Sequence, residues 1–100
     1  MTALLLCELP VGSSDARSWI LGQVTLLASR AEASLRFAAI EEDRPGEPSR
    51  EILAIEVASI DLADALRSAW RSDKRLSNID VRLLRIEAAR LAEFSAALFP

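Results

Sequence analysis

The chain has 100 residues and a formal net charge of −3, and 51% of its residues are hydrophobic while only 5% are aromatic. This length predicts one domain, residues 1–100, with a single core. Because the sequence has no histidine, no tyrosine and one cysteine, it excludes a Ser-His-Asp triad, the usual zinc ligand sets and an internal disulfide.

The composition also indicates which classes of partner, and which cellular location, to expect for this protein. A mildly acidic chain argues against nucleic acid as a partner, since that needs a basic surface. The longest apolar run, residues 3–7, is far shorter than the ~20 residues of a membrane span, and no basic segment precedes an apolar one as in a secretory signal. We therefore expect a cytoplasmic protein that contacts neither nucleic acid nor membrane, needs no metal or cofactor, and contains no recognisable catalytic residue.

The first half of the chain predicts a strand, a helix and a second strand. Residues 3–9 are nearly all apolar, as in a strand buried on both faces, and Pro10 ends the strand because proline donates no ladder hydrogen bond. Ser13 or Ser14 then caps a helix. Its apolar stripe, at spacings of three and four, comprises Ala16, Trp19, Ile20, Val24 and Leu27. From residue 35 the period becomes two, with Leu35, Phe37 and Ala39 on the helix side and Arg36, Ala38 and Ile40 on the other.

The second half repeats this order after a polar segment. The sequence EEDRPGEPSRE, residues 41–51, has the proline and glycine of a turn and predicts a solvated hairpin loop. Leu53, Ile55 and Val57 then form one face of a third strand. A helix begins near Asp61, with an apolar stripe of Leu62, Ala65, Leu66, Ala69 and Trp70. The alternation in IDVRLLRIE, residues 79–87, predicts a fourth strand, and AARLAEFSAALFP, residues 88–100, predicts a final helix.

The order of these elements is typical of the ferredoxin-like superfold, a βαββαβ split β-α-β sandwich. It predicts an α+β domain in which an antiparallel four-stranded sheet carries helices on one face, with the C-terminal helix as an addition. In this topology the first and third strands are central. Here those two are the more continuously apolar, and the second and fourth carry charges as edge strands do.

The face of the sheet without helices is too apolar to remain in water. We expect a second copy of the chain, the C-terminal helix, another protein or a ligand to cover it. Four charged residues among the apolar ones favour ion pairs that set the register of an interface, or else acid, base or ligand-binding groups in a pocket. The residues assigned to this interface or pocket are Leu6, Glu8, Arg36, Ile40, Ile52, Ala54, Glu56 and Arg82.

Two charged surface patches are further candidates for partner binding. The acidic hairpin comprises Glu41, Glu42, Asp43 and Glu47, in a segment that lacks the calcium-binding EF-hand pattern. The basic ridge comprises Arg67, Arg71, Lys74 and Arg75, which are spaced to lie on one exposed face of the second helix. Cys7 is predicted to point toward the helices, where a buried thiol is inert.

These features predict a small non-catalytic accessory or regulatory protein. It forms a homodimer through the open sheet face and binds another protein through the acidic hairpin or the basic ridge. One alternative is a small enzyme or ligand-binding domain of the dimeric α/β-barrel kind, with a pocket between two sheets. Another is a subunit of a larger hetero-complex whose partner covers the sheet.

Overall fold

The computed structural model describes residues 2–86 of the chain, in which strands and helices follow the predicted order. The helix predicted over residues 88–100 lies outside the described residues. The strands are β1 (Ala3–Pro10), β2 (Ala33–Arg44), β3 (Glu47–Val57) and β4 (Asp80–Arg85), and the helices are α1 (Ser14–Ala28) and α2 (Ile60–Arg71), followed by a 3-10 turn, Lys74–Leu76.

The strands form one antiparallel sheet in the order β2-β3-β1-β4. β3 therefore lies between β1 and β2, the two strands joined by α1, and β1 lies between β3 and β4, which are joined by α2. In the centre of the sheet, Leu5 of β1 lies opposite Ile55 of β3 on one side and Leu83 of β4 on the other. The predicted α+β class, with four antiparallel strands in one sheet and two helices, is confirmed.

The core lies between one face of this sheet and the two helices. Along β1, Ala3, Leu5, Cys7 and Leu9 are fully buried, whereas the residues between them are partly exposed. Successive strand residues point to opposite faces, so the buried set is the one that faces the helices. The other core residues include Ile20, Val24, Leu53, Ile55, Val57, Ala63, Trp70 and Val81. Removing each large aliphatic side chain of this set from water contributes ~1.5–3 kcal/mol.

The helices pack on the sheet through the predicted stripes, with one difference. α1 packs as predicted. In α2, Trp70 is buried as predicted, but Ala65 and Ala69 are exposed and Ala63 is fully buried. α2 is therefore rotated so that Ala63 and Trp70 face the core, where the Trp70 ring packs edge-on against Trp19 with 6.2 Å between ring centroids.

The two helices begin differently. Ser59 precedes α2, and its hydroxyl accepts a hydrogen bond from the Leu62 N–H at 3.1 Å, which satisfies one free donor of the first turn. Ser13 occupies the corresponding position before α1, as predicted, but its side chain makes no capping hydrogen bond. Of the two helices within residues 2–86, α2 alone is thus stabilised by a side-chain cap.

β2 departs from the predicted alternation at a β-bulge. Leu35 lies opposite Ile55, but Phe37 lies opposite Ala54, so Arg36 is an extra residue that has no partner of its own in β3. Directly opposite residues share a face of the sheet. The bulge therefore places Phe37 on the open face, beside Ala54.

The residues after the bulge are on the opposite faces from those predicted. Ala38 lies opposite Leu53 and Ile40 opposite Glu51, so both lie on the helix side of the sheet. The prediction that put Ile40 on the open face and Phe37 on the helix side is wrong. The physical reason is that one inserted residue reverses the face of the side chains that follow it, here as far as the next irregularity of the ladder after Glu41.

The β2–β3 hairpin extends beyond the end of β1. Arg44 lies opposite Glu47, and Pro45 and Gly46 alone form the turn between them. Proline fixes φ at the first turn position, and Gly46 has a φ of +83°, which glycine adopts without strain. The solvated loop predicted over residues 41–51 is wrong in its extent, because pairing between the two strands continues almost to the turn.

Candidate functional site

The open face of the sheet, opposite the helices, has an apolar centre. Leu6 of β1 lies opposite Ala54 of β3, and Ile52 is the next residue of β3 on the same face. Phe37 on β2, opposite Ala54, and Leu84 on β4, opposite Leu4 of β1, extend this apolar strip to both edges of the sheet, where they are 49% and 43% exposed. Within residues 2–86, no helix covers the strip, and such a surface is typical of an interaction site.

At one end of the strip, Glu8 is held between two arginines. The Glu8 side chain is 12% exposed, and its Oε2 accepts a hydrogen bond from Arg50 Nη1 at 2.7 Å. Its other carboxylate oxygen is paired with Arg82. The Arg82 Nε also lies 3.2 Å from Asp80 Oδ2, and the Arg50 Nε lies 4.0 Å from Glu41 Oε2. The cluster thus ties β1 to both of its neighbours. Arg82 lies between Glu8 and Asp80, two acidic residues that are opposite each other on adjacent strands, and offsets their repulsion.

A second ion pair borders the strip at the bulge. The Arg36 Nη1 lies 3.4 Å from Glu56 Oε2, and both side chains are more exposed than Glu8. Of the four charged residues assigned to this face from the sequence, the structure brings Glu8 to Arg82 and Arg36 to Glu56. Sequence reasoning missed Arg50, because it lies in the segment that was predicted to be a loop.

A cleft of about 250 Å³ adjoins Glu8 where β1 ends and β4 begins. Its polar lining includes Glu8, Ser49, Arg50, Asn78 and Asp80. The guanidinium of Arg50 is bound to Glu8, so these two charges of the lining neutralise each other, and Asp80 is paired with Arg82. The cleft can accept or donate hydrogen bonds, but it has no histidine or free thiol for nucleophilic or general-base chemistry at neutral pH.

The residues predicted as the basic ridge do not lie on one helical face. α2 ends at Arg71, so Lys74 and Arg75 lie in the 3-10 turn that follows. Arg67 pairs with an aspartate one turn before it. The Arg71 guanidinium donates hydrogen bonds of 2.7 and 3.1 Å to the carbonyl of Val81 and so ties α2 to β4. The two ridge residues that belong to α2, Arg67 and Arg71, are therefore both bound to groups of their own chain.

Arg75 is also engaged with its own chain. Its Nε and Nη2 donate to the Asp73 carboxylate at 3.0 and 2.8 Å, and its guanidinium lies 4.6 Å from the centre of the Trp19 ring. The side-chain and backbone hydrogen bonds from Arg75 hold the pKa of Asp73 below its usual value, and Asp73 in turn raises the pKa of Arg75. The contact with Trp19 fastens the turn after α2 to α1.

The acidic hairpin, by contrast, is exposed along its whole length. The Glu41 carbonyl accepts a hydrogen bond from Ser49 Oγ at 3.1 Å. The other acidic residues of the hairpin make no ion pair with any part of residues 2–86; they are Glu42, Asp43 and Glu47. Their charges thus remain available to attract a basic partner.

Cys7 lies on the helix side of β1 and is fully buried. Burial, with a smaller contribution from the charge of Asp80, raises the pKa of the Cys7 thiol to about 12. The thiolate is the reactive form of cysteine. At neutral pH this side chain is therefore a small apolar core residue.

Two structural observations bear on membranes and metals. None of the helices in residues 2–86 is both long and apolar enough to cross a membrane. Within the same residues, no group of three or more cysteine, aspartate or glutamate side chains is arranged to hold a metal ion. Comparison of the chain with models of known protein families, with curated proteins and with solved structures gave no match.

Proposed function

We propose that the chain has the ferredoxin-like topology. The support is the interleaving of two β-α-β units, since β3 is inserted between β1 and β2, and β1 is inserted between β3 and β4, with antiparallel pairing throughout. Such a fold hosts many activities, so it assigns no function by itself. In this topology both helices lie on one side of the sheet, so the other side of the sheet is available to a partner.

The function proposed on this fold is that of a small non-catalytic accessory or regulatory protein, which forms a homodimer through the open face and binds another protein. The observation that supports the dimer is the apolar strip on the open face, which reaches all four strands. Phe37 lies opposite Ala54 and Ala54 opposite Leu6, while Leu84 lies opposite Leu4, the neighbouring open-face residue of β1. Monomeric proteins rarely expose a continuous apolar surface that crosses a whole sheet. A second copy of the same strip would remove it from water.

The charges at the border of the strip also favour pairing of two identical faces. A twofold interface must be self-complementary, because the same surface of both copies forms it: if one residue contacts a second residue of the partner copy, the reverse contact also occurs. The border carries both signs, with Arg36 and Arg82 on edge strands and Glu8 and Glu56 on central strands. Rotation by a half turn can therefore set arginines of one copy against carboxylates of the other.

A non-catalytic role is supported by what the charged groups contact. Glu8 and Glu56 are each bound to arginine, and Cys7 is buried in the core. General acid–base catalysis needs a group with a pKa near the working pH and access to substrate. The only cysteine is also unpaired, which fits a protein of the reducing cytoplasm. For the second protein partner, the acidic hairpin is the better of the two charged patches, because most of its charges are not used within residues 2–86.

The solution mass tests the dimer, measured by light scattering behind a sizing column for the wild type and two matched variants. We expect a dimeric wild type and a folded, monomeric Ile52→Glu, because a carboxylate beside Glu8 in a dry interface lacks a partner. Leu26→Glu is the control, since Leu26 is an exposed leucine on α1, on the other side of the sheet, and this variant should stay dimeric. A monomeric wild type, or dissociation by both substitutions, would refute the interface.

The cleft beside Glu8 favours one alternative, a dimer that encloses a ligand between its sheets. Its polar lining and volume of about 250 Å³ place hydrogen-bonding groups at the margin of the proposed interface. Native mass spectrometry of the purified dimer distinguishes the two arrangements. A mass equal to two chains supports direct packing, and a reproducible extra mass of a small molecule supports the enclosed pocket. An aggregated wild type would instead indicate a hetero-complex subunit separated from its partner.

A further inference from the structure

The outer edge of β2 is a free strand edge. β2 is the last strand on its side of the sheet, and every residue of it after Ala33 is exposed. No strand within residues 2–86 pairs with its outer side, so alternate N–H and C=O groups there have no strand partner among these residues. An edge of this kind can accept an extended segment as an additional strand.

Beside this edge, on the helix side, a groove of about 440 Å³ lies between α1 and the outer part of β2. It lies there because the bulge at Arg36 brings the small Ala38 onto this side and because the residues of β2 after Ala33 are exposed. Ile40, in its wall, is 60% exposed. The lining residues are Arg17, Ala38, Ala39, Ile40, Glu51 and Leu53.

The carboxylate of Glu51 is only half satisfied in this groove. Its Oε1 accepts a hydrogen bond from Arg17 Nη1 at 2.7 Å, whereas its Oε2 is buried and accepts none from the described residues. A buried acceptor without a partner is unfavourable. The terminal torsion of a glutamate side chain is broad, so a small rotation can present this oxygen to a donor in the groove.

The acidic hairpin beside the groove favours a cation there, since the charges of the lining itself, Arg17 and Glu51, offset each other. The acidic hairpin continues the same two strands beyond the groove, and Glu42, Asp43 and Glu47 are exposed there. Their field attracts a positively charged segment along β2. The free edge, the apolar lining and the unpartnered carboxylate oxygen therefore favour one kind of occupant, an extended chain with a long basic side chain.

We propose that an extended segment of a partner protein pairs with β2 as a fifth strand, and that a lysine or arginine of this segment lies across Ala38 and binds Glu51. An added strand would lie ~4.8 Å from β2 and ~9.6 Å from β3. A basic side chain can span that distance with its aliphatic stem on Ala38 and Leu53 and its charge at Glu51. This inference names the partner class for the acidic hairpin and so rests on the partner-binding half of the proposed function. It leaves the open face free, because the groove lies on the helix side.

The test uses synthetic peptides and the ¹⁵N-labelled full chain. The first probe is an acetylated octapeptide of alternating valine and threonine with one central lysine, and the second has norleucine in place of the lysine. We expect amide shifts confined to β2, largest over residues 37–41, and affinity for the lysine peptide about fivefold higher than for the norleucine peptide, as for a charge-assisted hydrogen bond. Glu51→Gln should abolish this preference. Glu32→Gln, which removes the same charge before the start of β2, should retain it.

Two further peptides test whether the segment binds as a strand. Each carries N-methyl groups on one alternate set of amides, and only the set that faces β2 should abolish binding. The proposal is overturned if neither lysine nor norleucine peptide shifts residues 37–41, if both bind equally, or if both methylated peptides bind. Concentration-dependent broadening of these amides without peptide would assign the edge to a second copy and would also overturn the proposal.

The two proposals can fail separately. If the wild type is a monomer in the sizing experiment but still prefers the lysine peptide, only the dimer is refuted. If it is a dimer that binds neither peptide, only the pairing of a partner segment with β2 is refuted.

Discussion

Neighbouring residues of β1 lie in two different environments. Leu5 and Cys7 point to the helix side, where they are fully buried, and no fully buried residue within 2–86 is polar or charged. Leu6 and Glu8 point to the open side, where Leu6 is partly exposed and Glu8 lies between two arginines. The two faces therefore differ mainly in how they accommodate charge.

This difference has a physical meaning for assembly. On the helix side, the chain's own helices remove apolar groups from water, and the side chains need only fill the available volume without gaps or clashes. On the open side, charges border an apolar strip, and any surface that covers the strip must leave each of them paired, because an unpaired buried charge is strongly unfavourable. Such a border restricts which partner fits and in which orientation. It is the arrangement that the proposed dimer requires.

The largest expected effect comes from the same truncation on each side of β1. Leu5→Ala should lower the free energy of unfolding by about 2–5 kcal/mol, because it leaves a cavity in the core. Leu6→Ala should cost the monomer less, about 1–2 kcal/mol, because part of its side chain already contacts water. Urea denaturation followed by the fluorescence of the two tryptophans measures both.

Protein concentration makes this comparison sharper. The loss caused by Leu6→Ala should grow when the wild type is dimeric, since binding of a second folded copy stabilises the native state by mass action. The loss caused by Leu5→Ala should stay nearly constant. Equal losses for both variants at low concentration would mean that Leu6 is as well packed within one chain as Leu5.

The sequence predicted the parts of the fold that depend on local periodicity. In β1, apolar residues on both faces left it ambiguous which set of alternate residues faces the helices. Glu8 was nevertheless correctly assigned to the open side and Cys7 to the core side. The α1 stripe was equally clear. In α2, alanines occupied both the buried and the exposed positions, so the spacing alone misplaced Ala65 and Ala69. A small side chain carries too little apolar area to orient a helix.

The candidate site depended on two features that no local pattern reports. The bulge at Arg36 lies in LRFAAI, where either phase puts apolar residues on both faces, so nothing in the alternation marks the inserted residue. Arg50 is 42 positions from Glu8 in sequence, and their contact exists only because β3 pairs with β1 up to the end of that strand. Acidic residues and prolines had instead predicted a loop there. Long pairing within a charged hairpin was favoured by cross-strand contacts that composition does not record.

Removing the charge of Glu8 should have the next largest effect. Glu8→Gln keeps the shape of the side chain but leaves Arg50 and Arg82 facing a neutral amide, and we expect a loss of about 2 kcal/mol in the free energy of unfolding at low salt. Glu56→Gln, the matched change in the more exposed pair with Arg36, should cost less than about 1 kcal/mol. Urea denaturation at low and high salt gives both values. Equal losses would mean that the position of Glu8 between two arginines adds nothing.

An alkaline destabilisation caused by Cys7, on the helix side, should be smaller than the losses expected for Leu5→Ala and Glu8→Gln. The native thiol has a pKa of about 12, raised from its ordinary value of 9.0 by burial, so between these values the unfolded chain loses a proton that the folded chain keeps. The stabilisation is therefore complete below pH 9 and is lost as the pH rises. Between pH 7 and pH 10 the free energy of unfolding should fall by about 1.4 kcal/mol.

The composition of the chain makes this small effect measurable. Lys74 is the only lysine and there is no tyrosine, so few other groups titrate in this range. Cys7→Ala should be less stable at pH 7 but should lack most of the decline up to pH 10, and a thiol reagent should modify native Cys7 only as fast as the core opens. If the free energy of unfolding of Cys7→Ala falls by the same amount between pH 7 and pH 10, groups other than Cys7 cause the alkaline effect. Rapid modification of the native protein would show that the helix side is open to water at Cys7, and the contrast between the two faces would then fail at its most buried position.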